Sequence, residues 1–326
     1  MLCETIASIK SMEQPPDEIL LVDDGSSDGS VSKVQQRHQD VRIVLMPEHT
    51  GRPAAVRNAA LRAARHRYVL LCDNDIQLAP DAVDQLMRAM RSQPDVAVCS
   101  AVVVFDDKPG RIEVRAHPLH FLCWSTALRV RDLAEAKARG PCPGIGCGIQ
   151  LVDRKAAAEG GLFDENLALG WMDDGDLHLR LTLFGYRCLS VPGAVTVHRR
   201  ARKVSRIYGQ VHNRWYLLLS HYQLRTLIVI APALVVFELL LIGYLIRSGE
   251  GGSYMRALRD VWAKRPQIRA QRRKVQVQRR LPDKHVLSVL DLDLPRHLRD
   301  RKSLVSVFHR LSASFRCYWF IGLLFL

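Results

Sequence analysis

Carboxylates at fixed spacing are the residues of this sequence best suited to chemistry. Three Asp-X-Asp triplets occur, at Asp73/Asp75, Asp174/Asp176 and Asp291/Asp293. Two carboxylates one residue apart suit a hard divalent cation, which takes oxygen ligands and in turn clamps the oxygens of a diphosphate. The first triplet closes the apolar run Tyr68-Val69-Leu70-Leu71-Cys72. That run reads as a buried parallel strand whose end delivers the carboxylates into the crevice where open α/β sheets bind ligands. The second triplet belongs to Asp173-Asp174-Gly175-Asp176. Carboxylates so close repel one another unless a cation, a substrate hydroxyl or Arg180 compensates them, and one of them is then poised to take a proton from a hydroxyl. A helix N-terminus would favour the same cluster without any chemistry. The third triplet also follows an apolar run but lacks the flanking features of the others. In a chain of this composition about one or two such triplets arise by chance.

The elements that must hold these groups can be read from the pattern around them. Residues 2–12 form an amphipathic helix ended by Pro15-Pro16, and Glu18 to Val22 runs as a strand into Asp23-Asp24-Gly25-Ser26-Ser27-Asp28-Gly29-Ser30. Two glycines relax that loop, and Ser or Asp can cap the helix that starts near Val31. A strand over 41–46 and a helix over 53–65 carrying Arg57 and Asn58 lead to the strand at 68–73. Pro80-Asp81 opens a helix whose Val83, Leu86, Met87 and Met90 recur at i, i+3, i+4 and i+7, and 95–105 is again a strand. The order β-α-β-α-β-α-β predicts an α/β fold with a mostly parallel sheet covered by helices. Residues 106–143 read as an excursion over the crevice. Pro143 to Gly148 holds three glycines that either admit a substrate close to the backbone or make a tight turn. A strand over 194–197 ends at His198, where a third metal ligand could join Asp73 and Asp75, or where the imidazole is simply solvated.

Length and charge divide the chain. Its 326 residues suffice for one large α/β domain and an appendage. Residues 1–198 carry 22 basic against 26 acidic residues, whereas 199–225 carry seven basic and no acidic ones, and 247–326 carry 18 against six. The overall charge of +14 therefore belongs to the C-terminal part. Its basic cluster suits anionic lipid headgroups or nucleic acid. Interleaved aromatics are missing, and a hydrophobic segment stands next to it, so lipid is expected and nucleic acid is not. The eight cysteines are scattered without a C-x-x-C pair, which fits a reduced, cytosolic setting. No signal peptide opens the chain as given.

The order and spacing of the segments EILLVDDGSSDGS, HTGRPAAVRNAAL, YVLLCDNDIQLAPDAVDQL, GGLFDENLALGWMDDGDLHLRLTLFGYRC and VPGAVTVHRR over residues 18–200 resemble the family 2 glycosyltransferases of the GT-A fold. The resemblance implies inverting transfer from a nucleotide-diphosphate-sugar donor, with a divalent metal (Mn2+ or Mg2+) at Asp73 and Asp75, chiefly at Asp75. It implies that Asp23 and Asp24 contact the nucleotide base, that Arg57 helps hold the donor together with Asp73, and that Asp174 is the general base. Asp stands at position 173 where the family usually has Glu, which leaves Asp173 open as the proton acceptor. Trp171 either stacks on a sugar ring or packs, and Asp176 is placed with it on the acceptor side. The family normally begins with an apolar strand ending in Pro-Thr-Tyr-Asn or similar, and this sequence starts after it. The expectation is either a start assigned too far downstream or a remnant with a weakened donor site.

Residues 226–246 hold 14 Leu, Ile, Val or Phe in 21 positions, with Pro232 and Glu238 among them. That is long enough to span a bilayer. With the domain before it in the cytoplasm, a single crossing would put the basic residues that follow on the outside, against the positive-inside tendency. A re-entrant or in-plane helix resolves the conflict, and packing as a core helix is the alternative. The expected layout is a GT-A domain over 1–205, a linker and hydrophobic membrane helix over 206–250, and a basic helical tail over 251–326 ending in an apolar segment. The expected activity is transfer of a sugar to a hydroxyl of a lipid-linked or cell-envelope glycan acceptor at a membrane. A polyprenyl-phosphate sugar transferase or a non-catalytic membrane-bound scaffold are the alternatives.

Overall fold

The computed structural model describes residues 1–105, 112, 114–124, 126, 128–144, 149–169, 172, 174–198, 207–290, 292 and 302–326. The first stretch alternates helix and strand as its periodicity requires: α1 (Leu2–Lys10), β1 (Leu20–Asp23), α2 (Ser30–Arg37), β2 (Arg42–Leu45), α3 (Pro53–Ala63), β3 (Tyr68–Cys72), β4 (Ile76–Leu78), α4 (Ala82–Arg91) and β5 (Val96–Phe105). Pro53 starts α3, where its missing N–H costs nothing. Helix α4 buries Ala82, Leu86, Ala89 and Met90, so the expected apolar stripe is shifted toward its small residues.

The excursion contributes β6 (Val114–Ala116), β7 (Leu119–His120), β8 (Leu128–Arg129), α5 (Leu133–Arg139) and β9 (Cys142–Pro143), before β10 (Ile149–Asp153), α6 (Arg154–Glu159), α7 (Gly175–Leu183) and β11 (Arg187–His198). Asp153 caps α6 by accepting from the Lys155 N–H at 2.9 Å. The six-stranded sheet has the order β3-β10-β5-β11-β4, with β9 also paired to β11. Strands β3, β5 and β11 share one direction, as a parallel α/β sheet requires, but β10 runs against both β3 and β5 from a place between them, and β4 runs against β11. Parallel neighbours need a crossover of a dozen residues or more. Only Asp73 to Asp75 separates β3 from β4, so β4 cannot continue in parallel beside it. Strands β1 and β2 pair parallel with each other as a separate sheet, and β1 is half-buried throughout.

Apolar side chains fill both faces of the larger sheet. Leu86, Met90 and Ile76 pack on one face with Met12, and Leu61, Ala157, Leu177 and Leu181 pack on the other. The C-terminal helices are α8 (Ile207–His221), α9 (Leu224–Arg247), α10 (Gly251–Ala263), α11 (Arg265–Gln278) and α12 (Lys302–Gly322), with the short strand β12 (Leu287–Ser288) before α12, and a third core joins the excursion to all of them but α10. The described part of 106–143 is thus not only a cover over the crevice. Phe121 stacks on Trp319 with ring centroids 4.8 Å apart, Trp124 meets Phe237 at 5.1 Å, and β7 pairs in parallel with β12. Burial of aromatic rings of this size dominates the local energetics, so the excursion is a structural clasp between the sheet and the C-terminal helices.

Candidate active site

The turn between β3 and β4 presents Asp73, with a side chain 47% exposed, and the half-buried Asp75. Thr5 Oγ1 of α1 donates to the Asn74 carbonyl at 3.1 Å and fixes this turn from the other side. Arg57, on the second turn of α3, places a guanidinium nitrogen 3.9 Å from Asp73 Oδ1, and its charge lies 5.7 Å from the centre of the Phe163 ring. The neighbouring Asn58 is buried and fastens α3 to the turn that holds Phe163. It accepts from the Phe163 N–H at 2.9 Å, and its amide donates to the Phe163 carbonyl at 3.0 Å and to Glu165 at 2.7 Å.

Asp174 is the N-cap residue of α7, half-buried and without a side-chain capping bond to the helix backbone. Two residues on, Asp176 is fully buried. Its Oδ2 accepts from Arg180 Nε at 2.9 Å, and its Oδ1 lies 2.9 Å from His221 Nε2 of α8. Burial opposes the charged form of Asp176, yet Arg180 and His221 outweigh it and hold the carboxyl far below the usual range. The expected place of Asp176 on the acceptor side is therefore corrected: a carboxylate with no exposed surface, one oxygen paired with Arg180 and the other 2.9 Å from His221 Nε2, cannot meet a substrate. Arg180 also donates to the Gly160 and Leu162 carbonyls. It thereby holds a turn in which Gly161 (φ 84°) and Leu162 (φ 60°) both take left-handed backbone.

His178 is buried on α7 with Nε2 3.0 Å from Gln150 Oε1 of β10. Burial pushes its pKa down to about 4; the Asp174 charge opposes that shift and the Arg57 charge reinforces it. The imidazole is therefore neutral at pH 7 and within electrostatic reach of both groups. This residue stands in the sequence segment that carries the acidic cluster, and its i, i+4 relation to Asp174 was the signal that could have singled it out.

The remaining expected residues fall as follows. Asp23 Oδ2 accepts from the Gly25 and Ser26 N–H groups at 3.1 and 3.0 Å. Asp24 accepts from the N–H groups of Thr50 and Gly51, each at 2.8 Å, and from Thr50 Oγ1 at 2.9 Å. Burial works to raise the Asp24 carboxyl, but these hydrogen bonds prevail and lower it. Asp23 thus shapes its own loop, while Asp24 organises the loop leading into α3, the helix that carries Arg57. Trp171, Asp173 and the side chain of His198 lie outside the described residues, as does the Asp291/Asp293 triplet. The backbone of His198 is described and pairs with Ile76, next to Asp75. Among the described residues no group of three His, Cys, Asp or Glu converges as a ready-made cation site. The two carboxylates of one turn, Asp73 and Asp75, are of the oxygen-donor type that a hard divalent ion takes.

Residues 1–160 match the family model described as Glycosyl transferase family 2. Over 225 residues, 62% of this chain and 72% of the relative, the sequence is 25% identical to an N-acetylglucosaminyl-diphospho-decaprenol L-rhamnosyltransferase of Mycobacterium tuberculosis. It is 37% identical over 95 residues to a dolichol-phosphate mannosyltransferase of Mycosarcoma maydis, covering 28% of this chain and 32% of that one. Among solved structures, GalNAc-T7 with UDP, GalNAc and Mn2+ superposes with a TM-score of 0.53 at 13% identity, covering 68% of this chain and 46% of that one. The mixed sheet, the match of residues 1–160 to the glycosyl transferase family 2 model and the likeness to these relatives together make the chain a glycosyltransferase with a GT-A type fold.

Proposed function

We propose that this glycosyltransferase moves a sugar, with inversion, from a nucleotide-diphosphate donor to a hydroxyl of a lipid-linked or cell-envelope glycan acceptor. The observation that carries the reading is the guanidinium of Arg57 3.9 Å from Asp73 Oδ1, with the buried, neutral His178 within electrostatic reach of both Arg57 and Asp174. An anionic donor diphosphate meets Arg57, which can offset charge as the nucleotide departs. Asp174 takes the proton from the acceptor hydroxyl as its oxygen attacks the anomeric carbon and the bond to the diphosphate breaks. Asp23 and Asp24 shape the loop against which the base lies. Asp73, Asp75 and His198 would hold a divalent metal, which when bound supplies positive charge to the diphosphate oxygens. Residues 1–205 form the catalytic domain, 206–250 the linker and hydrophobic helix, and 251–326 the basic tail; the domain faces the cytoplasm at a membrane.

A second reading, with a polyprenyl phosphate as acceptor, draws support from the stretch similar to the mannosyltransferase. The two readings differ in what they ask of Asp174. A hydroxyl must lose a proton to attack, whereas a phosphate is already ionised at pH 7. The test is release of nucleotide from radiolabelled donors with Mn2+ present. Asp75→Asn should abolish Mn2+-dependent nucleotide release in both cases. Asp174→Asn should stop transfer to a hydroxyl and leave transfer to a phosphate nearly intact; full turnover in both variants would refute the assignment of this site.

A further inference from the structure

Helix α9 is built inside out. Its buried stripe, through Ile230, Phe237, Glu238 and Leu245, lies along the body of the protein for almost its whole length. Glu238 on that stripe pairs with the fully buried Arg214 of α8 and accepts from the Tyr254 hydroxyl at 2.6 Å. The opposite stripe is exposed and apolar at every position from Ile228 to Ile246, including Val235, Val236, Leu239 and Leu240. Exposed arginines, Arg225 and Arg247, stand at its two ends. At 1.5 Å per residue the apolar stripe is about 27 Å long. The C-terminal part of α12 and the turn after it extend it: Tyr318 Oη donates to the Val229 carbonyl, and beside that contact Phe320, Ile321, Leu324 and Phe325 are all exposed.

We propose that α9 does not cross the membrane but lies in the plane of an anionic bilayer surface, with the end of α12 as a second insertion point. This rests on the membrane association proposed above. A spanning helix meets hydrocarbon or another membrane helix around its whole circumference, whereas α9 keeps one side against α8, where Arg214 and Glu238 sit. Tipping it across the bilayer would either draw that ion pair and the α8 body into hydrocarbon or tear the pair apart. Lying flat, the helix buries only its apolar stripe, as amphipathic interfacial helices do. The occupant is lipid rather than a second copy because charge points that way: both ends of the stripe are cationic, and residues 199–225 and 247–326 carry net charges of +7 and +12. Like charges would face each other in a self-paired dimer, while anionic headgroups complement them.

The experiment is flotation of the full chain with preformed vesicles of phosphatidylcholine alone and with phosphatidylglycerol added. Expected is flotation with the anionic vesicles, release by alkaline carbonate, and loss of binding by roughly 100-fold in the Val235→Glu/Leu239→Glu variant. Turnover of that variant on a water-soluble acceptor should be unchanged, which also shows that it has folded. Arg225→Glu/Arg247→Glu should lower the preference for anionic vesicles by about tenfold or more. Resistance to carbonate would overturn the in-plane arrangement in favour of a span, and undiminished flotation of the first variant would remove the stripe from the surface. A wild-type chain that ignores vesicles but dimerises, with the dimer lost in the same variant, would give the face to a second copy. In that last case transferase activity in solution would still stand, so failure of the docking surface and failure of the catalytic assignment are read separately.

Discussion

The same triplet, Asp-X-Asp, occurs twice in the catalytic part and means two different things. In the turn after β3, Asp73 is exposed and Asp75 half-buried, two residues apart on one open turn. At the start of α7, Asp174 is half-buried at the N-cap while Asp176 is sealed between Arg180 and His221. Helical geometry accounts for the difference. Successive residues of a helix turn by about 100°, so positions i and i+2 point to nearly opposite sides. A turn between strands imposes no such separation. Spacing in sequence therefore tells which carboxylates sit together only after the backbone between them is known.

The largest effect should separate the two members of the helical pair. Asp174→Asn keeps the size and loses the proposed base, so kcat should fall by about 10²–10⁴-fold with the urea midpoint unchanged. Asp176→Asn should do the reverse. It leaves Arg180 and His221 facing a neutral amide in a buried site, at a cost of about 3–5 kcal/mol in stability. Urea titration measures that loss, and activity per folded molecule should fall far less than in the first variant. A variant of Asp176 that raised the acceptor KM at full stability would return this residue to the substrate.

Acid should act on the floor of the same site. His178 has its pKa lowered to about 4 in the fold, against 6.5 for an ordinary histidine. Between these values the unfolded chain takes up a proton that the folded one refuses, so stability falls as pH drops from 6.5 toward 4. The shift corresponds to roughly 3 kcal/mol. His120, buried and lowered to about 3, adds a loss of the same sign. Comparing the pH dependence of urea midpoints for wild type and His178→Gln isolates the part due to His178, and parallel curves would show that the imidazole is not desolvated.

Local pattern carried much of this molecule. The strands at β1, β2, β3 and β5 and the helices between them follow from apolar runs, Pro and Gly positions, and the acidic residues at the crevice follow from where those runs stop. What local pattern does not encode is partnership across the chain. Strand β10 is legible as a strand, but its insertion between β3 and β5 in the opposite direction depends on pairing with residues about 50 to 80 positions earlier. Phe121 to Trp124 look like part of a surface loop until Trp319 and Phe237 cover them. Glu238 reads as a charge interrupting a hydrophobic segment, because its partner Arg214 lies on the preceding helix. His178 and Asp176 were within the conspicuous segment, yet only the helix orientation sends both inward.

A smaller effect should come from Asn58, which sets Arg57 against the turn that carries Phe163. Asn58→Ala removes three hydrogen bonds and strips the Phe163 N–H and carbonyl of these partners, which should cost about 1–3 kcal/mol. Because the adjoining Gly161 and Leu162 hold left-handed backbone, the freed turn should relax and carry the Phe163 ring away from the Arg57 guanidinium. The donor KM should then rise a few-fold, about 1 kcal/mol of binding, with kcat less affected since Asp174 is on a different element. Asn58→Asp is the more telling variant: it keeps an acceptor for the Phe163 N–H but loses the amide donors and sets a carboxylate beside Glu165. Repulsion between the two should make it less stable than Asn58→Ala. If urea titration instead finds Asn58→Asp the more stable of the two, the amide donors are dispensable and Arg57 is positioned by its contact with Asp73 rather than through this turn.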